Sequence, residues 1–309
     1  NSVSIKLATT RINLLWIPIT LVASVAQIFR TAKQHALRDV LGSEGAAYAR
    51  FLFAFPFAIL LLTSTYIWHP TPISIPGSYW FKVSGAATAQ IVGTILLLKS
   101  FRERDFAVGT VYSKAEILLV AIASTIILKE SPSLLAWIAI VVCMVGLVTL
   151  TAKKSSQSYY YLATSPGALR GISSGLFFGL AAVGIRSSVT TLTASSLWHR
   201  SVFTLATMLG IQALLHGLYL FFFAPDQLSK IFSNWRRCVL IGLMSVSGTT
   251  GWTVAMAMTT ASRVRTLGQI EIVLAFIIST TRLKERHKIK DYVASALVLL
   301  GIIGVVVFG

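Results

Sequence analysis

Residues 114–130 read KAEILLVAIASTIILKE, and residues 269–285 read QIEIVLAFIISTTRLKE. Nine of the seventeen positions are identical at a fixed offset of 155, in a chain of 309 residues. Each copy sets a glutamate, Glu116 or Glu271, fourteen residues before the glutamate of a Lys-Glu pair. Between these charges the sequence is almost wholly apolar. A carboxylate placed twice inside such a segment sets the two questions that organise the chain: what solvent surrounds it, and what the carboxylates meet there.

The solvent follows from composition. The chain is 55% hydrophobic and 12% charged, with a mean hydropathy of +0.76. A soluble domain carries about 25% charged residues, so lipid is the expected surrounding. A helix spans a bilayer with ~20 mostly apolar residues. Ten segments qualify: roughly 12–34, 44–68, 79–99, 107–128, 134–151, 167–191, 196–222, 235–258, 264–283 and 290–308. A closed β-barrel would need alternating apolar and polar residues, which these solid runs lack. The fold class predicted is therefore all-α, integral to the membrane. The first segment follows Lys6 and Arg11 as a signal peptide would, but it runs on to Arg30 and Lys33 without a clear cleavage site, so it is read as a mature span. Cys143 and Cys238 both fall inside spans and imply neither a disulfide framework nor a metal.

The repeat extends beyond the opening segments. At the same offset Trp80 matches Trp235, Gly93 matches Gly248 and Gly146 matches Gly301. Arg30 roughly matches Arg186, and Arg50 roughly matches Arg200. The reading is a first repeat over 1–151, a polar linker over 152–166 and a second repeat over 167–309. Five spans is an odd number, so the second repeat enters the membrane inverted. Inverted repeats about an axis in the membrane plane suit alternating access, because exchanging the two halves' conformations exchanges inward-open for outward-open. The net charge of +17 concentrates at helix ends, which points to the bilayer and away from nucleic acid. Seventeen basic residues follow odd-numbered spans and eight lie on the opposite side. Basic loops stay in the cytoplasm, so this count places both termini outside.

Ten spans in two repeats, each with an apolar fourth helix running into Lys129-Glu130 or Lys284-Glu285 and a following span bearing Gly146 or Gly301, resemble the drug/metabolite transporter superfamily, in particular its EamA-type members. The resemblance implies export, uptake or exchange of small metabolites across the bacterial inner membrane. It implies a central cavity formed by spans 1–4 and 6–9, with spans 5 and 10 peripheral. It also implies cytoplasmic termini, opposite to the charge count. Two details depart from the family pattern. The turn is Lys-Glu where Gly-Glu is usual, and Ile117 and Ile272 stand where many members carry proline.

Glu116 and Glu271 lie about nine and seven residues into their spans, roughly 10–14 Å deep at 1.5 Å per residue. A charge there costs about 2.5–3.5 kcal/mol on insertion scales. Such residues face the bundle interior and find partners. In one reading they line the cavity and bind a cation or exchange protons, since desolvation penalises the charged form. In the other they are structural ion pairs, with Arg30, Arg50, Arg186 or Arg200 as candidate partners. Lys114 sits two residues from Glu116, on another helix face, and is not expected to pair with it. Arginine's planar fork suits carboxylates and phosphates. Arg50 and Arg200 could therefore hold the anionic end of a substrate while the glutamates meet its amine; interfacial anchoring is the alternative. An amino acid or related zwitterion is the first candidate. Trp16, Tyr48, Tyr112, Trp198, Trp252, Gln90 and Gln269 are candidate wall residues, with packing or interface anchoring as the plainer role. Gly85, Gly93, Gly242, Gly248 and Gly251 are expected at close helix contacts.

No Gly-x4-Gly-Lys-Ser/Thr loop, His-Glu-x-x-His or Cys-x-x-Cys pattern occurs. Neither an ATP-driven motor, a metal nor another cofactor is expected, and no catalytic residue is assigned. The partners expected are a small-molecule substrate and the lipid bilayer, with a homodimer left open. The rival readings are a channel or a lipid scramblase and, behind them, a membrane-embedded enzyme using the two glutamates as acid and base.

Overall fold

The computed structural model describes residues 14–100, 113–152, 166–194, 196–281 and 289–309. The described residues are helical apart from turns and one isolated bridge, Ser74 to Thr193. The helices are α1 (Trp16–Trp68), α2 (Gly77–Ser100), α3 (Glu116–Ala123, extended by a π-helical turn at Ser124–Leu128), α4 (Leu134–Ala152), α5 (Pro166–Thr191) and α6 (Leu197–Phe223). They continue with α7 (Pro225–Ser233), α8 (Trp235–Met258), α9 (Ala261–Leu267), α10 (Ile270–Thr281) and α11 (Ile289–Phe308).

Six of the described helices are long and apolar enough to cross a bilayer. A straight α1 of 53 residues would run about 80 Å, far beyond a ~30 Å hydrocarbon core. Gly42 resolves this. Its φ of 72° and ψ of 171° are non-helical, a conformation that costs little only without a Cβ. The break splits α1 into arms over 16–41 and 43–68 beside the charged residues Arg38, Asp39 and Glu44.

The helices pair reciprocally between the halves. In the first half α2 packs on α5 of the second, α8 of the second packs on α1 of the first, and α4 packs on α11. Exchanging the halves maps this set onto itself, as expected for two copies related by a pseudo-two-fold axis. The α4–α11 contact shows why the glycines recur at the repeat offset. A Cβ on Gly146 would lie 2.7 Å from both the Ala294 carbonyl oxygen and the Val298 nitrogen. One on Gly301 would lie 2.6 Å from the Cys143 nitrogen and 2.7 Å from the Ala139 oxygen. Each glycine thus lets the backbone of the other helix approach.

Two expectations change here. A Cβ on Gly85 would meet nothing within 4 Å, so this glycine mediates no close contact, and one on Gly248 would meet Ala26 at an ordinary 3.5 Å. The fourth and ninth spans are also not continuous. Ser113 is helical, Lys114 and Ala115 turn, and α3 starts at Glu116. Likewise α9 ends at Leu267, Gly268 and Gln269 turn, and α10 begins at Ile270. Both glutamates therefore sit in the first turn after a break, rather than inside an unbroken helix.

Gly301→Ala should lower the unfolding free energy by about 1–3 kcal/mol, the usual cost of overpacking, whereas Gly85→Ala should stay within about 0.5 kcal/mol of the parent. Reversible unfolding in mixed micelles compares the two directly.

Candidate functional site

The breaks bring four charges together. Glu116 of α3 pairs with Arg265 of α9, and Glu271 of α10 pairs with Lys114, just ahead of α3. Each ion pair joins one half of the chain to the other. The side chains are 5% to 13% exposed. Gln27 of α1 donates to the second oxygen of Glu271 at 3.4 Å, and the Arg265 guanidinium lies 4.8 Å from the centre of the Trp252 ring. The backbone stays hydrogen-bonded across both interruptions: the Ile117 N–H donates to the Lys114 carbonyl at 3.2 Å, and the Glu271 and Ile272 N–H groups donate to the Gly268 and Gln269 carbonyls at 3.3 and 3.0 Å.

These pairs border a cavity of about 70 Å³. Its charged lining is Arg30, Arg50, Lys114, Glu116 and Arg265; Gln27, Thr31, Gln90 and Thr249 add hydrogen-bonding groups; Trp252 and Phe178 close the apolar side. A water occupies about 30 Å³, so this volume holds a few waters or one small polar group. Arg50 donates from Nη1 to Thr94 Oγ1 at 3.2 Å and lies 5.0 Å from the centre of the Phe51 ring. Gln90 lines the cavity while its Oε1 accepts from Gln212 at 2.8 Å. Residues of α4 and α11 do not line the cavity, so the fifth and tenth segments lie outside it.

Past Ile185 and Met256 of the cavity lining, hydrogen bonds tie helix ends together. The Arg186 guanidinium donates to Glu130 Oε1 at 3.0 and 3.2 Å and to the carbonyls of Met256 and Ala257 at 2.8 and 3.2 Å, tying the ends of α3, α5 and α8. Lys82 donates to Thr191 Oγ1 at 2.6 Å, and Ser74 and Thr193 exchange backbone hydrogen bonds at 2.9 and 3.3 Å. Glu130 follows Lys129, which holds φ at 60°, in the left-handed region.

The structure thus gathers Arg30, Arg50, Glu116, Gln90 and Trp252 around one space, with Glu271 reaching it through Lys114 and Gln27. It sets the other candidates elsewhere. Arg186 braces the ends of α3 and α8, and Arg200 lies in the first turn of α6, away from the cavity. Trp16 is buried in the main apolar cluster. Tyr48 meets His216 edge-on at 5.4 Å, and Trp198 donates to Thr65 Oγ1 at 3.1 Å. Gln269 donates to the Arg265 carbonyl at 3.1 Å, bracing the break in the second half. Tyr112 lies outside the described residues. The glutamates' cationic partners are not the four arginines that the sequence suggests. Spacing excludes Lys114 only for the glutamate on its own helix, and Arg265 falls at the edge of a span, where a loop cation is the plainer reading. The clue in the sequence is that each cation lies only a few residues ahead of a buried glutamate; the pairing crosses between copies.

Removing one member of a buried pair strands the other charge. Glu116→Gln should cost about 3–5 kcal/mol of unfolding free energy, and Glu116→Gln combined with Arg265→Met should recover most of it. Chemical denaturation of the purified variants measures both.

The model of the EamA-like transporter family matches residues 14–152 and again residues 166–307. A solved crystal structure, described only as that of a protein, superposes on 97% of this chain and 99% of its own with a TM-score of 0.71. At 13% sequence identity that likeness is one of fold alone. No curated protein matches the chain.

Proposed function

The chain belongs to the EamA-like transporter family, and on that premise we propose that it is a ten-span secondary transporter carrying a small polar metabolite across the inner membrane by alternating access. The observation that supports this reading is the polar cavity at the junction of the two halves, beside two interrupted helices. Interrupted helices at a repeat interface are where secondary transporters hold substrates; here side chains supply the cavity's contacts, because the backbone stays hydrogen-bonded through both interruptions. The reciprocal packing of α2 on α5 and α8 on α1 gives the rocking elements, and the Arg186–Glu130 cluster, which ties helix ends past the cavity lining, gives the gate.

The substrate presents a carboxylate to the arginines, with amino acids and related compounds the first to test. Exchange of one solute for another fits better than proton coupling, since both buried carboxylates are engaged by cations and a proton would have to displace them. The charge count supports a cytoplasmic position for the face bearing Arg38, Lys99, Arg236 and Arg237, with both termini outside.

Proteoliposomes preloaded with unlabelled amino acids and dicarboxylates should accumulate the labelled counterparts transiently and saturably, and Glu271→Gln should slow that counterflow at least about tenfold, equivalent to about 1.4 kcal/mol. Flux that rises linearly with concentration would indicate a channel. Transbilayer movement of fluorescent phospholipid without solute counterflow would indicate a scramblase.

A further inference from the structure

Both carboxylates beside the cavity are already engaged, each by a cation of the opposite half. Two more cations, Arg30 and Arg50, face the same space with no carboxylate of the described residues in contact, although the Glu271 charge acts favourably on Arg30. Arg30 lines the cavity and is 6% exposed; it makes no hydrogen bond or ion pair with any described residue, and its Nε is buried without an acceptor. Arg50 also lines the cavity and is 3% exposed. Among the described residues it has the single hydrogen bond to Thr94, and its Nε too is buried without an acceptor. Around the cavity, then, the described residues place four cations, Arg30, Arg50, Lys114 and Arg265, against two carboxylates, Glu116 and Glu271. The cations are near enough that Arg30 and Arg265 both repel the Arg50 charge.

An uncompensated buried charge is costly, and two of them on one wall reinforce each other's cost. Structural arginines avoid it by holding carboxylates or backbone carbonyls, as Arg186 does at the ends of α3 and α8. Among the described residues neither Arg30 nor Arg50 contacts such a partner, and their planar donor forks match a carboxylate. A zwitterion would compensate only part of this excess. Its carboxylate would meet the arginines, but its ammonium would enter a site whose two glutamates already hold cations.

We propose that the cavity selects small organic anions, compounds with more negative than positive charge, and that Arg30 and Arg50 grip the carboxylate while Gln27, Thr31, Gln90 and Thr249 meet the rest. This rests on the transporter reading and narrows its substrate class to dicarboxylates and acidic amino acids. At about 70 Å³ the cavity seats the carboxylate end; the rest of even a short skeleton requires the surrounding side chains to move outward on binding.

Four compounds on one four-carbon frame test the charge rule: succinate, aspartate, asparagine and putrescine, running from dianion through monoanion and zwitterion to dication. Thermal unfolding of the purified protein is followed with each, with chloride at equal ionic strength as reference. Succinate and aspartate should stabilise, with an apparent Kd at least about tenfold below that for asparagine, and putrescine should have no effect. Arg30→Gln and Arg50→Gln should each abolish the anion shift. The same substitutions should leave the unliganded Tm unchanged or raise it, because an uncompensated buried charge is removed; a purely structural arginine would show a loss. Arg50→Lys should retain part of the shift.

Stabilisation by asparagine or putrescine alone, an anion shift that survives in both glutamine variants, or the absence of any anion shift would each overturn the proposal. Counterflow of labelled aspartate and asparagine separates this from the broader reading. Anion binding without counterflow of either contradicts transport alone. Saturable counterflow of asparagine without anion binding contradicts the anion assignment alone.

Discussion

Two ion pairs that cross between the halves of the chain constrain the rest of the structure. Glu116 is held by Arg265 and Glu271 by Lys114, so neither half can satisfy its own buried carboxylate. The consequence is geometric. For the four groups to meet, the breaks ahead of α3 and α10 must face each other across the molecular centre. The polar cavity borders that junction. The surrounding contacts serve the same arrangement: α2 on α5 and α8 on α1 bring the halves together reciprocally, and α4 against α11 clamps them from outside the cavity.

The symmetry is real in the backbone and broken in the charges. At the repeat offset Glu116 corresponds to Glu271, but Lys114 corresponds to Gln269 and Arg265 to Thr110. The cation lies two residues before the glutamate in one copy and six residues before it in the other. Both copies therefore contribute one cation and one anion to the centre, from different places. The centre thus presents an asymmetric set of charges within a two-fold arrangement of helices.

Much of this is legible in the sequence. The fixed offset of 155 exposes the repeat, the solid apolar runs indicate the helical membrane class, and depth in those runs singles out Glu116, Glu271 and Arg50, while Arg30 enters only through its rough match with Arg186. The helix breaks are not legible. In the second copy the break falls at Gly268-Gln269, where one glycine and one amide interrupt hydropathy too briefly to register; in the first it falls at Lys114-Ala115 with no breaker residue at all. The partners are hidden for a different reason. Spacing along one helix excludes Lys114 as the partner of Glu116, and nothing in linear spacing reports that the two copies exchange partners. Gly85 and Gly146 look alike as glycines within spans, yet only Gly146 meets a crossing backbone. That difference depends on which face of the helix is occupied, which a chain without marked apolar sidedness does not reveal.

The measurement that bears most directly on the crossed pairs is a charge swap. Lys114→Glu and Glu271→Lys are made singly and together, and the folded monodisperse fraction is measured after extraction. Each single change should place two like charges in contact and reduce that fraction sharply, while the double change should restore it toward the parent. Single variants that fold as well as the parent, or a double variant no better than either single, would contradict the pairing of the two halves through these residues.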